Sequence, residues 1–404
     1  MAVNLRAPAR IEPVAGAEWA VGEAAIKKPG RNDIALLKLA DDATVAGVFT
    51  RNAFAAAPVR LAQKNLAGGR IRALLVNSGN ANAGTGRQGD ADAQACCVSA
   101  AEALGISPEQ VLPFSTGVIG QALPLDRMRH TIDTLGGRLE SDGWLDAARA
   151  IMTTDTVEKG ASRAVDIGGG ERIMLSGIAK GSGMIRPDMA TMLSFIATDA
   201  RIAADDLDVA LREAMQGSFN AISVDGDTST NDACIVCATG RSAKLTPKSA
   251  AWPLFVTALT DLSRELAQAI VRDGEGATRF ITLAVTGARD VAEAREVAFT
   301  VAHSPLVKTA CFAGDPNWGR ILAAVGRAPV ADFAIDRVAI ALDDVAIVAD
   351  GEPREDYAEA DAAAVMAQSE YTIGIDLGRG EACTTVWTSD LSYEYVRINA
   401  EYRS

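Results

Sequence analysis

The 404-residue chain has only two histidines, His130 and His303. A Ser-His-Asp or Cys-His enzyme takes its base from an imidazole, and a histidine-rich metal site needs several of them. His130 follows "LDRMR" and His303 follows "FTVA", so each reads as a helix-surface or packing residue, and both enzyme classes drop out. Cysteine is scarce as well. Cys96, Cys97, Cys234, Cys237, Cys311 and Cys383 lack zinc-type spacing and read as reduced core thiols. Cys234 and Cys237 form a C-x-x-C pair, but "ACIVCATG" is a continuous apolar run with no exposed helix start to lower a thiol pKa. A buried strand is expected there. Basic residues are outnumbered 39 to 52, for a net charge of −13, which excludes nucleic-acid and anionic-membrane partners because both need a basic footprint. No run of eighteen apolar residues occurs, and the first twenty residues hold no apolar core of signal-peptide length. A soluble, cytoplasmic protein acting on small polar substrates is the expectation.

Aromatic residues make up only 5% of a chain that is 49% hydrophobic and 23% charged, a globular composition built on alanine, valine and leucine. Short apolar runs alternate with helical patterns. "ALLVNSGN" (73–80) predicts a strand, "DADAQACCVSAAEALG" (90–105) a helix, and "QVLPFSTGVIG" (110–120) a strand entering a tight turn. "ADDLDVALREAMQGSF" is helical, and Phe255, Leu259, Leu262, Leu266 and Ala269 recur at helical spacing. Ile281, Leu283 and Val285 alternate as one strand face. Ile373, Ile375 and Leu377 do so again before a "GRGE" turn, where a hairpin is expected. The acidic stretch 352–361 reads as a solvated loop and helix start. With no repeat or linker between the halves, the pattern predicts one α/β body with mixed sheets.

"GTGRQG" (Gly84, Gly86, Gly89) formally satisfies G-x-G-x-x-G before a helix. Seven residues separate it from the preceding strand, and the next strand does not end in an acidic residue to hold a ribose. "VNSGNANAGTG" reads better as a loop shaping a cleft. A dinucleotide-binding protein built on it would keep its chain intact.

Without a histidine base, a nucleophile must carry its own. An N-terminal threonine does so, because its α-amine, with a pKa of about 7.7 to 8.0, accepts the hydroxyl proton near neutrality. "GMIRPDMATMLSFIATDA" (183–200) runs from a Gly/Pro-rich loop into a strand-like segment headed by Thr191. An N-to-O acyl shift by that hydroxyl, then ester hydrolysis, would cut Ala190–Thr191. Gly181, Gly183 and Pro187 suit a bent loop, and Ala190 leaves its carbonyl open. On these residues alone, an ordinary β-branched strand residue is the preferred reading of Thr191.

"GIAKGSGMIRPDMATMLSFIATDA" (177–200) closely resembles the signature of the ornithine acetyltransferase family, the bifunctional glutamate N-acetyltransferases, in which the bond before the threonine of "MATML" is cut autocatalytically. "AGVFTRN" (46–52), "VNSGNANAGTG" (76–86), "STGVIG" (115–120), "IMTTDT" (151–156), "DGDTSTND" (225–232), "VRDGEGATR" (271–279), "KTACFAGDPNWGRILAAVG" (308–326) and "NAEYRS" (399–404) resemble further family blocks in family order. The resemblance implies a mixed-sheet, layered α/β fold of the ornithine acetyltransferase and DmpA-like type. It further implies an α chain of residues 1–190 and a β chain of residues 191–404, interleaved and assembled as two copies of each.

The implied reaction moves the acetyl group of N-acetylornithine to glutamate by way of an acetyl ester on Thr191. Thr116 and Gly117 match the oxyanion pair, and Thr153, Lys180, Glu275, Asn399 and Ser404 match substrate contacts, with Thr154 an alternative to Thr153. Lys180 would meet the substrate α-carboxylate and Glu275 a side-chain ammonium. Taken singly, these residues also read as a turn glycine, a loop lysine and a helix-terminal carboxylate. No metal or cofactor is implied, and acetyl-CoA is a further candidate donor. Asp225 and Asp227 read as turn or capping residues rather than metal ligands. "DPNWGR" suggests no chemistry beyond packing of its tryptophan. An amidase or aminopeptidase using the same threonine, with water as acceptor, is the alternative activity.

Overall fold

The structure is a computed structural model that describes residues 2–186 and 192–401. Two sheets stack face to face. The first has four strands in the order Ala17–Gly22, Ile34–Leu39, Ala73–Asn80 and Val111–Val118, with only the last pair parallel. The second has five, in the order Thr44–Phe49, Ala233–Ala238, Leu193–Thr198, Glu171–Lys180 and Lys159–Gly168, and here only the pair Ala233–Ala238 and Leu193–Thr198 is parallel.

Strand alternation explains the stacking. Leu74, Val76, Leu112 and Phe114 of the first sheet meet Leu193, Phe195, Ile235 and Cys237 of the second in one buried cluster. The intervening Ala73, Leu75 and Val111 face the helices Gly86–Leu104 and Leu125–Leu135. On the other side Met192, Ile196 and Val236 face Ala204–Gln216 and Trp252–Arg272. The body is thus helices, sheet, sheet, helices, with the central strands Ala73–Asn80, Leu193–Thr198 and Ala233–Ala238 burying both faces. Few aromatics are needed to lock it. Phe195 lies 5.1 Å from Phe114 and 6.1 Å from Trp19, both edge-on, and so clamps Val111–Val118 to Leu193–Thr198 across the sheet interface.

A seven-stranded third sheet, with Phe280–Ala288 near its middle, carries its own core under Val291–Ala302, Pro305–Ala313, Trp318–Gly326 and Glu359–Met366. Here one expectation is corrected. The "GRGE" turn makes no hairpin, because Phe280–Ala288 inserts between the strands it joins. That strand pairs parallel with Glu370–Asp376 and antiparallel with Ala382–Ser389. The antiparallel hairpin lies upstream instead, between Ala339–Leu342 and Val345–Ala349.

Five of the six cysteines are buried, Cys234 and Cys237 within a strand as expected, but Cys383 is exposed. It occupies an outward position of Ala382–Ser389, so core burial does not extend to it. The helix expected from residue 90 begins at Gly86 and ends against Gly105 at φ +66°. Gly86 heads the helix at a left-handed φ of +60°, and Gly89 lies in its first turn. A Cβ on Gly89 would come within 1.9 Å of Thr85 Oγ1, so this glycine serves close packing of the helix's first turn. Trp318 packs beside the third-sheet core, and Asn317 caps its helix by accepting from Arg320 N. Among the described residues no helix is long and apolar enough to cross a membrane.

Candidate active site

A cavity of about 280 Å³ opens where the C-terminal end of Val111–Val118 meets the end of Glu171–Lys180 and the start of Leu193–Thr198. Thr116, Gly117, Thr153, Lys180, Glu275 and Asn399 all line it, together with the alternative Thr154. Six residues matched from five sequence blocks converge on one space. Thr191, Ala190 and Ser404 lie outside the described residues. Met192, bonded to Thr191, lines the same wall.

Gly117 is required by a close approach. Its φ is +131°, and a Cβ there would lie 2.2 Å from the carbonyl carbon of Gly79 and 2.5 Å from Asn80 N. The register with Ala73–Asn80 breaks at this point, Asn80 opposing both Thr116 and Val118. Such a bulge turns backbone polar groups out of the ladder, as an oxyanion site needs. Next to it, Thr116 Oγ1 accepts from Lys180 Nζ at 3.2 Å. The ammonium has no lone pair to accept in return, which leaves the Thr116 hydroxyl proton available for donation into the cavity.

Lys180 is a buried strand-end residue, 8% exposed, and not a surface-loop lysine. Burial lowers its pKa against the pull of Asp155 and Asp232. Glu275, 7% exposed, accepts from Asn399 Nδ2 at 2.8 Å. Gly183 makes room for it, since a Cβ there would fall 2.5 Å from the Glu275 carboxylate.

Behind these residues is a buried charge network that sequence reasoning missed. Lys159 Nζ donates to Asp155 Oδ1 at 2.7 Å and to Asp273 Oδ2 at 2.6 Å, with all three side chains essentially unexposed. Asp155 also accepts from Gly181 N at 2.7 Å and Thr153 N at 3.0 Å. Asp273 accepts from Thr156 N and Val157 N, and from the Thr156 hydroxyl. Its carbonyl accepts from Ser182 Oγ at 2.6 Å, while Ser182 O accepts from Glu275 N at 2.9 Å. The segments bearing Thr153, Lys180 and Glu275 are thereby tied to one ammonium. Burial alone would raise the Asp155 pKa, but Lys159 and Lys180 hold it well below the usual carboxylate range. Burial opposes the Lys159 charge too, and Asp155 and Asp273 overcome it to raise its pKa. The available signal was an i,i+4 Asp/Lys pair in "TTDTVEKG", which sequence alone cannot connect to Asp273.

Removing the shared cation leaves two buried carboxylates facing one another. Lys159→Met is expected to destabilise the protein by about 3–5 kcal/mol, the usual effect of deleting one partner of a buried ion pair. Guanidinium denaturation at matched protein concentration measures it, and a loss below about 1 kcal/mol would show the triad to be replaceable.

Asp225 anchors the segment that holds Met184 and Ile185. It accepts from Met184 N at 2.7 Å and Ile185 N at 2.8 Å, and from Tyr395 OH at 3.3 Å in the helix that carries Asn399. Asp227 N also donates to it, at 3.2 Å. The expected turn role of the "DGDTSTND" acids thus holds for Asp225. From the same block, Asn231 Nδ2 donates to Ala81 O and Ser115 O, binding the cleft loop to the oxyanion strand. Asp232, not anticipated from the sequence, is buried in the cavity wall.

Comparison with known proteins shows the family. The ArgJ family model matches residues 18–404. The arginine biosynthesis bifunctional protein ArgJ of Methylococcus capsulatus is 54% identical over 397 residues, covering 98% of this chain and 97% of the relative. The protein of that name from Pseudomonas fluorescens is 50% identical over 407 residues, covering the whole of both chains. A crystal structure of arginine biosynthesis bifunctional protein ArgJ from Bacillus halodurans is similar with a TM-score of 0.50 and 41% identity, covering 52% of this chain and 99% of that one. Relatives therefore match this chain along nearly its entire sequence, and the chain belongs to the ArgJ family.

Proposed function

We propose that this protein is a glutamate N-acetyltransferase of arginine biosynthesis, moving the acetyl group of N-acetylornithine to glutamate through an ester on Thr191. The convergence of Thr116, Gly117, Thr153, Lys180, Glu275 and Asn399 on one cavity beside Met192 carries this reading. In the first half-reaction the Thr191 hydroxyl attacks the acetyl carbonyl. Its proton passes to the α-amine of residue 191 and on to the departing ornithine nitrogen, as the ester forms and the amide C–N bond breaks. Thr116 and Gly117 stabilise the intervening oxyanion. Glutamate then attacks the ester with its amine, regenerating the hydroxyl. One ester intermediate divides an amide-to-amide exchange into two easier steps.

The free α-amine requires a cut at Ala190–Thr191. The coverage of the Bacillus halodurans chain supports that division. It matches 52% of 404 residues, about 210, close to the 214 residues from 191 to 404. The same reading carries an assembly of two copies of each fragment, a cytoplasmic location, Ser404 as a substrate contact, and acetyl-CoA as a second candidate donor.

Incubating the purified protein with N-acetylornithine and glutamate tests the activity. N-acetylglutamate and ornithine should appear in equal amounts, whereas acetate as the sole acetyl product would establish the amidase alternative. Lys180→Met is expected to raise KM about tenfold or more for both amino-acid substrates, because both carry an α-carboxylate. Glu275→Gln should raise it chiefly for N-acetylornithine, whose side-chain ammonium glutamate lacks. Equal effects of the two variants on both substrates would overturn this assignment.

A further inference from the structure

Acetyl transfer as described assigns no role to Asp232, the carboxylate that lines the cavity beside Lys180. Asp232 is 3% exposed, lines the cavity beside Lys180 and Met192, and its Oδ2 has no hydrogen-bond partner among the described residues. An unpaired buried carboxyl oxygen is unfavourable and uncommon in a folded protein. Lys180, whose charge acts on it, directs its hydrogen bond to Thr116. Burial raises the Asp232 pKa well above the ordinary value, opposed by Ser229 and Lys180.

The backbone that carries this carboxyl is fixed by hydrogen bonds. Asp232 O accepts from Thr50 N at 2.9 Å, Asn231 N donates to Ser229 Oγ at 3.1 Å, and Thr230 O accepts from Ala56 N at 2.9 Å. The strand that follows, Ala233–Ala238, runs parallel to Leu193–Thr198 with Ala233 opposite Leu193, and Ala233 N donates to Met192 O at 2.9 Å. Asp232 therefore stands beside Met192. Neighbouring strands lie about 4.8 Å apart and successive Cα atoms about 3.8 Å. Met192, the residue bonded to Thr191, is thus a direct cross-strand neighbour of Asp232.

We propose that Asp232 is a catalytic group of the mature enzyme, its unpaired Oδ2 accepting a hydrogen bond from the α-amine of Thr191 and turning that nitrogen's lone pair toward the threonine hydroxyl. This rests on the functional reading above, in which the chain is cut before Thr191. A primary amine rotates freely about its Cα–N bond, so a fixed acceptor for one N–H selects the rotamer in which the lone pair can take the hydroxyl proton. The proton moves from hydroxyl to amine and then to ornithine, and Asp232 gains and loses none. Before cleavage the nitrogen of residue 191 belongs to a peptide bond, whose lone pair is delocalised and not basic. Asp232 accordingly serves turnover and not self-processing.

That separation supplies the test. Asp232→Ala and Asp232→Leu both remove the acceptor, so one folded variant suffices, and Asp232→Asn restores an oxygen at the same place. Intact mass, melting temperature and steady-state acetyl exchange are measured on each. The expected result is normal cleavage in all variants, with kcat lowered about 100-fold in the alanine or leucine variant at a KM for N-acetylornithine within about threefold of wild type. Asp232→Asn should recover to within about tenfold of wild type. Uncut Asp232→Asn, an unchanged kcat on removal of the acceptor, or a loss confined to KM would each overturn the assignment. Wild-type protein that is itself uncut or transfers no acetyl group would instead refute the functional reading, and the role of Asp232 would fall with it.

Discussion

Replacing Thr191 with alanine is expected to leave a single uncut 404-residue chain and to abolish acetyl exchange. Wild type should yield fragments of 190 and 214 residues under denaturing conditions. The loss should be about 10⁴-fold or more, the scale seen when a covalent nucleophile is removed. Both effects follow from one hydroxyl that first attacks the Ala190 carbonyl and afterwards the acetyl carbonyl. Intact mass spectrometry reads the first and N-acetylglutamate production the second. A mature, folded wild type that remains one chain would remove the free amine on which the chemistry depends. A cut Thr191→Ala chain would place the processing nucleophile elsewhere.

Gly117→Ala should be nearly as damaging. The added methyl would sit 2.2 Å from the Gly79 carbonyl carbon, and the φ of +131° is one that L side chains rarely adopt. Two parallel strands must part, or the peptide must rotate, and either change moves the backbone N–H proposed to meet the oxyanion. A loss of about 10²- to 10³-fold in kcat is expected from that donor alone, with backbone strain of about 1–3 kcal/mol lowering the melting temperature. Self-cleavage passes through a tetrahedral oxyanion too and should slow. A variant within threefold of wild type in kcat would show that Gly117 serves packing only.

The sequence carried the local pattern well and the long-range partners poorly. Strand Ala73–Asn80 coincides with the stretch predicted from its apolar run, and Cys234 and Cys237 lie in a buried strand because an unbroken apolar segment has nowhere else to go. The "GRGE" hairpin failed because a turn specifies a reversal of the chain but not whether the two strands end up adjacent. Phe280–Ala288, ninety residues upstream in the same sheet, took the place between them. Lys180 and Glu275 were legible as residues but not in their setting, since burial is a property of what packs around them. The Lys159 triad was hidden for the same reason. Its second carboxylate lies 114 residues away, and no periodicity links a buried cation to so distant a partner. Asp232 closes the "DGDTSTND" block, but that block gave it no role. Only its unpaired oxygen in the finished cavity distinguishes it from any other aspartate at a strand entrance.

The strand order of the second sheet bears on how the two halves must be supplied. Ala233–Ala238 and Leu193–Thr198, from beyond residue 190, lie between Thr44–Phe49 on one side and Glu171–Lys180 with Lys159–Gly168 on the other, all from before it. Synthesised apart, each half would present open sheet edges and half a core, a hazard for aggregation. Under the proposed cut before residue 191, a single reading frame cut only after folding would avoid this. It would deliver the halves in strict one-to-one stoichiometry, already paired, whatever the level of expression. Gene dosage could not unbalance them, and inheritance of either half alone would provide no working enzyme.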